Sequence, residues 1–318
     1  MIRKSTAEAS IILFKQNIVL ALVRQLLVVY GYYMPYYPGK WLLIKGLAKK
    51  ASKVSNASYS VIRRGIRYQL DIADPMDRII YYTGVHEGLT TKFLRCMVRP
   101  GSACFDVGAN LGYYTLFFAK LVGPHGEVHG FEPCPDEFNR LQKNLSLNNL
   151  PAARLHQIAL TDSIGTIGIT GKRKGGLTRI GSSVDEVVHE VQCSTLDGFM
   201  RSHNISRLDI LKVDIEGAEV KFLRGGLTAI SEHMPIIVIE LNPNALKVFG
   251  NNVFEIDEML SRAGYVFYKP HRKGLRLLHR TPTTGSHVDA VALPGKLFHL
   301  KDDFTWAELK ALSPWAGN

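Results

Sequence analysis

The stretch CFDVGANLGYYTLFFAK, residues 104–120, constrains the fold of this 318-residue chain more than any other. It opens as an apolar run short enough for a buried strand, breaks at Gly108 and Gly112, and restarts with the apolar density of a helix. A strand that feeds a helix through a glycine turn is the first half of a βαβ unit, and the alternation continues down the chain. EVHGFEP, ARLHQIAL, LDILKVD and PIIVIEL read as further strands, with DEFNRLQKNLSLNN, TLDGFMRSHN and NVFEIDEMLSRAG as helices. EGAEVKFLRGGLTAI reads as a helix that stops at Gly225 and Gly226 or runs past them. YVFYK and DAVALP have no helix between them, which lets them pair as an antiparallel hairpin with a long loop. The expected fold class is α/β, a Rossmann-like and mostly parallel sheet.

The N-terminal stretch to about residue 60 departs from this pattern, being apolar, aromatic and basic with almost no acid. Lys15, Asn17 and Arg24 interrupt its apolar run short of the roughly 20 clean residues that a spanning helix needs. Lys15 also lies where a secretory signal would be uniformly apolar. Two readings stay open: a helix packed on the main domain, or one lying in a membrane interface with its lysine snorkelling. Tyr30, Tyr32, Tyr33, Tyr36, Tyr37 and Trp41 beside basic residues favour the second. The net charge of +11 attracts an anionic partner, whether membrane, nucleic acid or phosphorylated substrate, without choosing among them. Basic residues are scattered, as at Lys49 and Lys50, Arg63 and Arg64, and Lys172 to Lys174, which suits a generally solvated surface. Cys96, Cys104, Cys134 and Cys193 form no CxxC pair, so the expectation is reduced thiols in a cytosolic protein, without disulfide or metal site.

In an open α/β sheet the ligand sits beyond the carboxyl ends of the strands, and the loop after the first strand is where it docks. Gly108 and Gly112 are the positions where a side chain would obstruct a ligand approaching the backbone, and Asp106 at the strand end can accept from an amine or a water. Glu132 ends the next strand, about 20 residues on, where an acid bridges ribose hydroxyls. An ordinary turn or a solvated glutamate would explain each alone; together they indicate a nucleoside cofactor. The order Gly108, Ala109, Asn110, Leu111, Gly112 departs from the dinucleotide pattern G-x-G-x-x-G, and an anionic Asp106 suits a cationic amino-acid group better than a pyrophosphate. S-adenosylmethionine carries ribose, adenine and an ammonium but no phosphate.

With FDVGANLGYYTL, GFEPCPDEFNRLQKNLSLNN, IALTDSIG, STLDGF, LDILKVDIEGAEVKFLRGG and IIVIELNP in that order, the chain resembles S-adenosylmethionine-dependent methyltransferases of the FkbM family over roughly residues 80–270. The resemblance implies a seven-stranded sheet, mostly parallel with the last strand antiparallel; the N-terminal helical extension, read from composition, and the C-terminal tail lie outside it. It implies that Asp106, Gly108, Asn110 and Gly112 form the pocket for the cofactor's amino-acid part, that Glu132 holds the ribose, and that Asp162 faces the adenine amine. A plain turn aspartate before Gly165 is the alternative for Asp162. The expected domains are an apolar and basic helical extension at 1–60, the methyltransferase domain at 61–295 and a tail at 296–318. The implied reaction is methylation of a hydroxyl on a sugar, glycolipid or natural product.

Such a transfer needs in-line alignment of the acceptor oxygen and a base for its proton. Asp214 and Glu216 in VDIEG and Glu240 in IEL fall at the ends of the fourth and fifth strands. They are the candidate catalytic residues, Asp214 near the reacting methyl and Glu216 or Glu240 as base or substrate clamp. The same carboxylates suit a divalent cation, and DIEGAE also suits a helix start, to which Glu219 is assigned. The insertion TGKRKGGLTRIGSSVDEV, with Lys172, Arg173, Lys174 and Arg179, is the expected acceptor loop, and His86 beside Glu87 is a further base candidate. The expected partner is a small-molecule or glycan acceptor, with peripheral membrane contact through residues 1–50 and a cytoplasmic location on the inner face of a membrane. A nucleic-acid methyltransferase lacks its Asn/Asp-Pro-Pro-aromatic stretch here. That leaves an RNA or other nucleic-acid methyltransferase as the weaker alternative, beside a non-catalytic membrane-associated protein that keeps the cofactor fold, and oligomeric state leaves no signal.

Overall fold

The computed structural model describes residues 19, 21–33, 46, 58–170, 179–180, 189–279, 282, 287–296 and 301–312. Lys15, Asn17, Tyr36, Tyr37, Trp41 and Lys172 to Lys174 lie outside the described residues. The chain divides into two compact units, Met1–His86 and Glu87–Asn318. The first holds the helical residues 21–33, a hairpin of β1 (Ser58–Arg63) and β2 (Ile66–Asp71), and the helix Pro75–Thr83. Asp74 starts that helix, its carboxylate accepting from the backbone N–H of Met76 and Asp77 ahead of a left-handed Gly84 at the other end.

In the second unit, β3 (Ala103–Val107) is buried at every residue, as expected of a central strand covered on both faces. The helix Tyr113–Val122 follows, then β4 (Glu127–Phe131), the helix Pro135–Ser146 and β5 (Ala153–His156). Later come β10 (Ile210–Val213), β11 (Ile236–Leu241), β12 (Tyr265–His271), β13 (Gly274–Leu277), β14 (Val288–Pro294) and β15 (Asp303–Thr305). These nine strands form one sheet in the order β5-β4-β3-β10-β11-β14-β12-β13-β15. Pairs β5 to β11 are parallel, and β14 runs antiparallel to both β11 and β12. This is the expected seven-stranded Rossmann-like sheet with its last strand antiparallel, extended at one edge by β13 and β15. The order reverses between β3 and β10, so the carboxyl ends of those strands form the switch point.

A second sheet, ordered β6-β9-β7-β8, comprises β6 (Ala159–Leu160), β7 (Gly165–Thr170), β8 (Arg179–Ile180) and β9 (His189–Ser194). Here the structure corrects one sequence expectation and decides another, the first helix of EGAEVKFLRGGLTAI stopping at Gly225. ARLHQIAL is not one strand: β5 ends at His156 and β6 crosses to the small sheet, pairing with β9. EGAEVKFLRGGLTAI is two helices, Glu219–Arg224 and Leu227–His233. Gly225 at this break has a steric reason to be glycine, since a Cβ there would lie 2.0 Å from the carbonyl oxygen of Thr161, where the chain leaves β6. The segment after residue 296 is not a separate appendage in the described part: β15 pairs with β13 and leads into the helix Trp306–Ala311.

Candidate functional site

The turn after β3 is held by hydrogen bonds to the end of β4. The backbone N–H groups of Gly108 and Ala109 both donate to the carbonyl of Phe131, at 3.0 and 2.9 Å. Glu132 continues the tie: Oε2 accepts from the Asn110 N–H at 2.8 Å and Oε1 from the Cys134 N–H at 2.9 Å. Asn110 is left-handed, with φ 50°, and its own side chain accepts from the Leu111 N–H. Gly112, at the N-cap of the helix Tyr113–Val122, makes no side-chain capping hydrogen bond.

Gly108 and Gly112 serve packing in this arrangement. Gly108 has φ +85°, and a Cβ there would lie 1.9 Å from the carbonyl oxygen of Asp214 at the end of β10. A Cβ on Gly112 would meet Leu141 at 2.5 Å and Leu116 at 2.6 Å. The glycines therefore let two strand ends and two helices close on one another, and the turn's shape toward a ligand follows from that closure. Asp106 lies beneath the turn, buried, with Oδ2 accepting from the Thr115 hydroxyl at 2.6 Å. Burial pushes its carboxyl up to about 6 against the lowering influence of Lys212 and Thr115.

Glu132 fits a ribose-binding role in its chemistry. Each carboxylate oxygen holds one backbone donor and keeps a lone pair for a hydroxyl. Burial raises it to about 7, opposed by the two backbone donors. Asp162 is different: it is exposed, and its Oδ1 accepts from the hydroxyl of its neighbour Thr161 at 3.1 Å.

Parallel register carries the second half of the site. Lys212 on β10 lies beside Asp106 on β3 and Val238 on β11, so Asp214 and Glu240, each two residues further, share their sheet face. Across the antiparallel β11–β14 pair, Glu240 stands directly opposite Asp289. Lys212 Nζ donates to Asp214 Oδ2 at 2.9 Å and lies 4.8 Å from the ring centre of Tyr114. The Tyr114 hydroxyl donates to Glu87, and the Thr90 hydroxyl to Asp289 at 2.9 Å. Burial alone would lower the Lys212 ammonium, but Asp214, Glu87, Asp289 and Asp106 outweigh it and raise the group.

Glu240 has the opposite surroundings. Burial, followed by the carboxylates of Asp214, Glu216, Glu219 and Asp289, pushes it up to about 9, so it is protonated at neutral pH. Its Oε2 is buried without a hydrogen-bond partner among the described residues. Glu216 sits in a turn of two positive-φ residues, 56° at Glu216 and 108° at Gly217, ahead of the helix Glu219–Arg224. Glu219 holds that turn, its Oε1 accepting from the N–H groups of Ile215 and Gly217, both at 3.2 Å. Burial raises Glu219 to about 7.

The structure thus brings Asp106, Asp214 and Glu240 to one face, with Glu216 and Glu219 beside Glu240 and with Gly108, Asn110, Gly112 and Glu132 in the adjoining turn. Sequence reasoning missed Lys212, Tyr114, Thr90 and Asp289. The signal for Lys212 was a lysine inside the apolar strand ILKV, two residues before Asp214. His86 belongs to the other unit. Among the described residues no three His, Cys, Asp or Glu side chains are placed to hold a metal ion. A cleft lined by Asp197, Arg201, Ser206, Glu232 and His233 lies toward the amino end of β10, away from these carboxylates.

Residues 106–267 match the family described as the methyltransferase FkbM domain. The chain is 31% identical over 160 residues to Methyltransferase 1 of Beauveria bassiana, a match covering 43% of this chain and 63% of that protein. It is 29% identical over 159 residues to the 31-O-demethyl-FK506 methyltransferase FkbM of Streptomyces tacrolimicus, covering 40% and 60%. It is 24% identical over 162 residues to the hexuronic acid methyltransferase AglP of Haloferax volcanii, covering 50% and 61%. The chain therefore spans about three fifths of the length of these curated relatives. A solved FkbM methyltransferase from Methylobacillus flagellatus KT superposes with a TM-score of 0.40 at 16% identity, covering 70% of this chain and 52% of that one.

Proposed function

The chain belongs to the methyltransferase FkbM family, and on that premise we propose that it transfers a methyl group from S-adenosylmethionine to a hydroxyl oxygen of a sugar, glycolipid or natural-product acceptor. The observation that carries the reading is the alignment of Lys212, Asp214, Glu240 and Asp289 on one sheet face beside the turn at 108–112. Relatives whose names specify an O-methylation and a hexuronic acid support the acceptor class.

When bound, the cofactor supplies an electrophilic methyl on a sulfonium. Glu132 accepts from the ribose hydroxyls with the lone pairs that Asn110 and Cys134 leave open. Asp214, paired with the Lys212 ammonium, orients the acceptor hydroxyl and takes its proton. Glu240, protonated, donates to an oxygen on the acceptor and serves as the clamp rather than the base. Lys212 offsets the negative charge of the surrounding carboxylates.

The test is release of S-adenosylhomocysteine from S-adenosylmethionine on addition of glycan and natural-product acceptors. Turnover should depend on an acceptor, and Asp214→Asn should lower kcat by about 10²–10⁴-fold while leaving cofactor affinity in place. Wild-type turnover by Asp214→Asn would remove Asp214 from the reaction.

A further inference from the structure

The first unit carries a feature that methyl transfer does not use. Residues 21–33 form a helix whose inner face packs Leu27 on Tyr82, with Val23, Tyr30 and Tyr81 around them. Its opposite face is apolar and open: Val19, Leu22, Leu26, Val29 and Tyr33 are 58, 56, 69, 56 and 73% exposed. The spacing of three, four, three and four residues places all five in one stripe along the helix. An apolar stripe of this length, left exposed among the described residues, marks a docking surface.

Charge selects the occupant. Residues 1–86 contain thirteen Lys and Arg against four Asp and Glu, so nine of the chain's eleven net positive charges lie in this unit. The remainder of the chain is nearly neutral. Two copies of so basic a unit repel each other, whereas an anionic surface attracts it. Next to the helix, the Arg63 guanidinium donates to the Tyr81 carbonyl at 2.7 Å and lies over the rings of Tyr81 and Tyr32. Arg64 lies over Tyr32 from 4.9 Å. Aromatic rings that hold arginines beside an apolar stripe match the headgroup level of a bilayer. We propose that the helix 21–33 lies flat in the interface of an anionic membrane, its stripe in the acyl boundary and the unit's basic residues among the lipid headgroups. No helix among the described residues is long and apolar enough to cross a membrane.

The test is co-sedimentation of the full chain with phosphatidylcholine vesicles, with and without phosphatidylserine, beside the variant Leu22→Ser/Leu26→Ser/Val29→Ser. These side chains are exposed, so the variant keeps its fold, and an unchanged melting curve and S-adenosylhomocysteine affinity check this. The expected result is binding to the anionic vesicles, weakened by salt, weaker on pure phosphatidylcholine, and reduced about a hundredfold in the variant. Equal sedimentation of variant and wild type, or none by the wild type, would overturn the proposal. So would a dimer in light scattering that the triple substitution dissolves while neither protein binds vesicles, since the stripe would then belong to a second copy of the chain.

Discussion

Replacing Lys212 by methionine keeps the length of the side chain and removes the ammonium that Asp214, Glu87, Asp289 and Asp106 share. Lys212 is 4% exposed, and deleting one partner of a buried ion pair costs about 3–5 kcal/mol. The Asp214 side chain is 26% exposed, so water relieves part of its loss and the lower end, about 3 kcal/mol, applies. For a unit of this size that lowers Tm by about 6–12 °C. The pH dependence is more diagnostic. Lys212 is raised from an ordinary 10.5, so its own contribution is fully present below that value and constant from about pH 5 to 9. Any change with pH in the variant's deficit must then come from the carboxylates. Asp106 and Asp289 stand at about 6 because burial raises them while Lys212 lowers them. Without the ammonium both rise further, and each added unit is about 1.4 kcal/mol. An acid raised in the folded state is least unfavourable below its unfolded value and loses stability as pH climbs through its folded one. The deficit of Lys212→Met should therefore be larger at about pH 8.5 than at about pH 5.5, by roughly 1–3 kcal/mol. Paired urea or thermal melts at the two pH values measure it. A deficit that is equal at both, or that shrinks as pH rises, would refute the charge arrangement described here.

Other expectations follow from single residues. Gly108→Ala meets the Asp214 carbonyl and a positive φ together, and should cost at least about 2 kcal/mol in chemical denaturation; a neutral result would mean that the β3 and β10 ends are further apart than described. Affinity for S-adenosylmethionine should fall below about pH 7, by up to tenfold per unit, as Glu132 takes up a proton and loses its anionic acceptor. Titration calorimetry across pH 5 to 8 would show a flat profile if another group holds the ribose. Glu240→Gln, which keeps a donor, should retain most of kcat at neutral pH, whereas Glu240→Leu should raise KM for the acceptor about tenfold or more; equal loss in both would make Glu240 the base.

Much of the fold was legible because central parallel strands write themselves as short apolar runs ending in acids and glycines. ACFDV, LDILKVD and PIIVIEL were visible for that reason, as was the turn at Gly108 to Gly112. What those glycines touch was not: the contact of Gly108 with Asp214 joins residues far apart in sequence and depends on strand order. The surroundings of Lys212 were hidden for the same reason. Its carboxylates come from residues 87, 106, 214 and 289, and Asp289 reads in sequence only as the first residue of DAVALP. Glu240 was chosen for its place at a strand end, but its raised pKa follows first from burial and then from Asp214, Glu216, Glu219 and Asp289, which the fold gathers from separate segments. The split of ARLHQIAL into two strands left no local mark, because it shows only in the partners: β5 pairs with β4, and β6 with the distant β9.

Glu132 and the turn it ties are the assigned cofactor site, and calorimetry of S-adenosylmethionine and S-adenosylhomocysteine with the wild type and Glu132→Ala decides that assignment. One molecule of either ligand should bind each wild-type chain, and the substitution should weaken both by about a hundredfold or more, since it removes a charged hydrogen-bond acceptor and frees the Asn110 and Cys134 N–H groups. Undiminished binding by Glu132→Ala, or none by the wild type, would contradict the assignment of this turn to the cofactor.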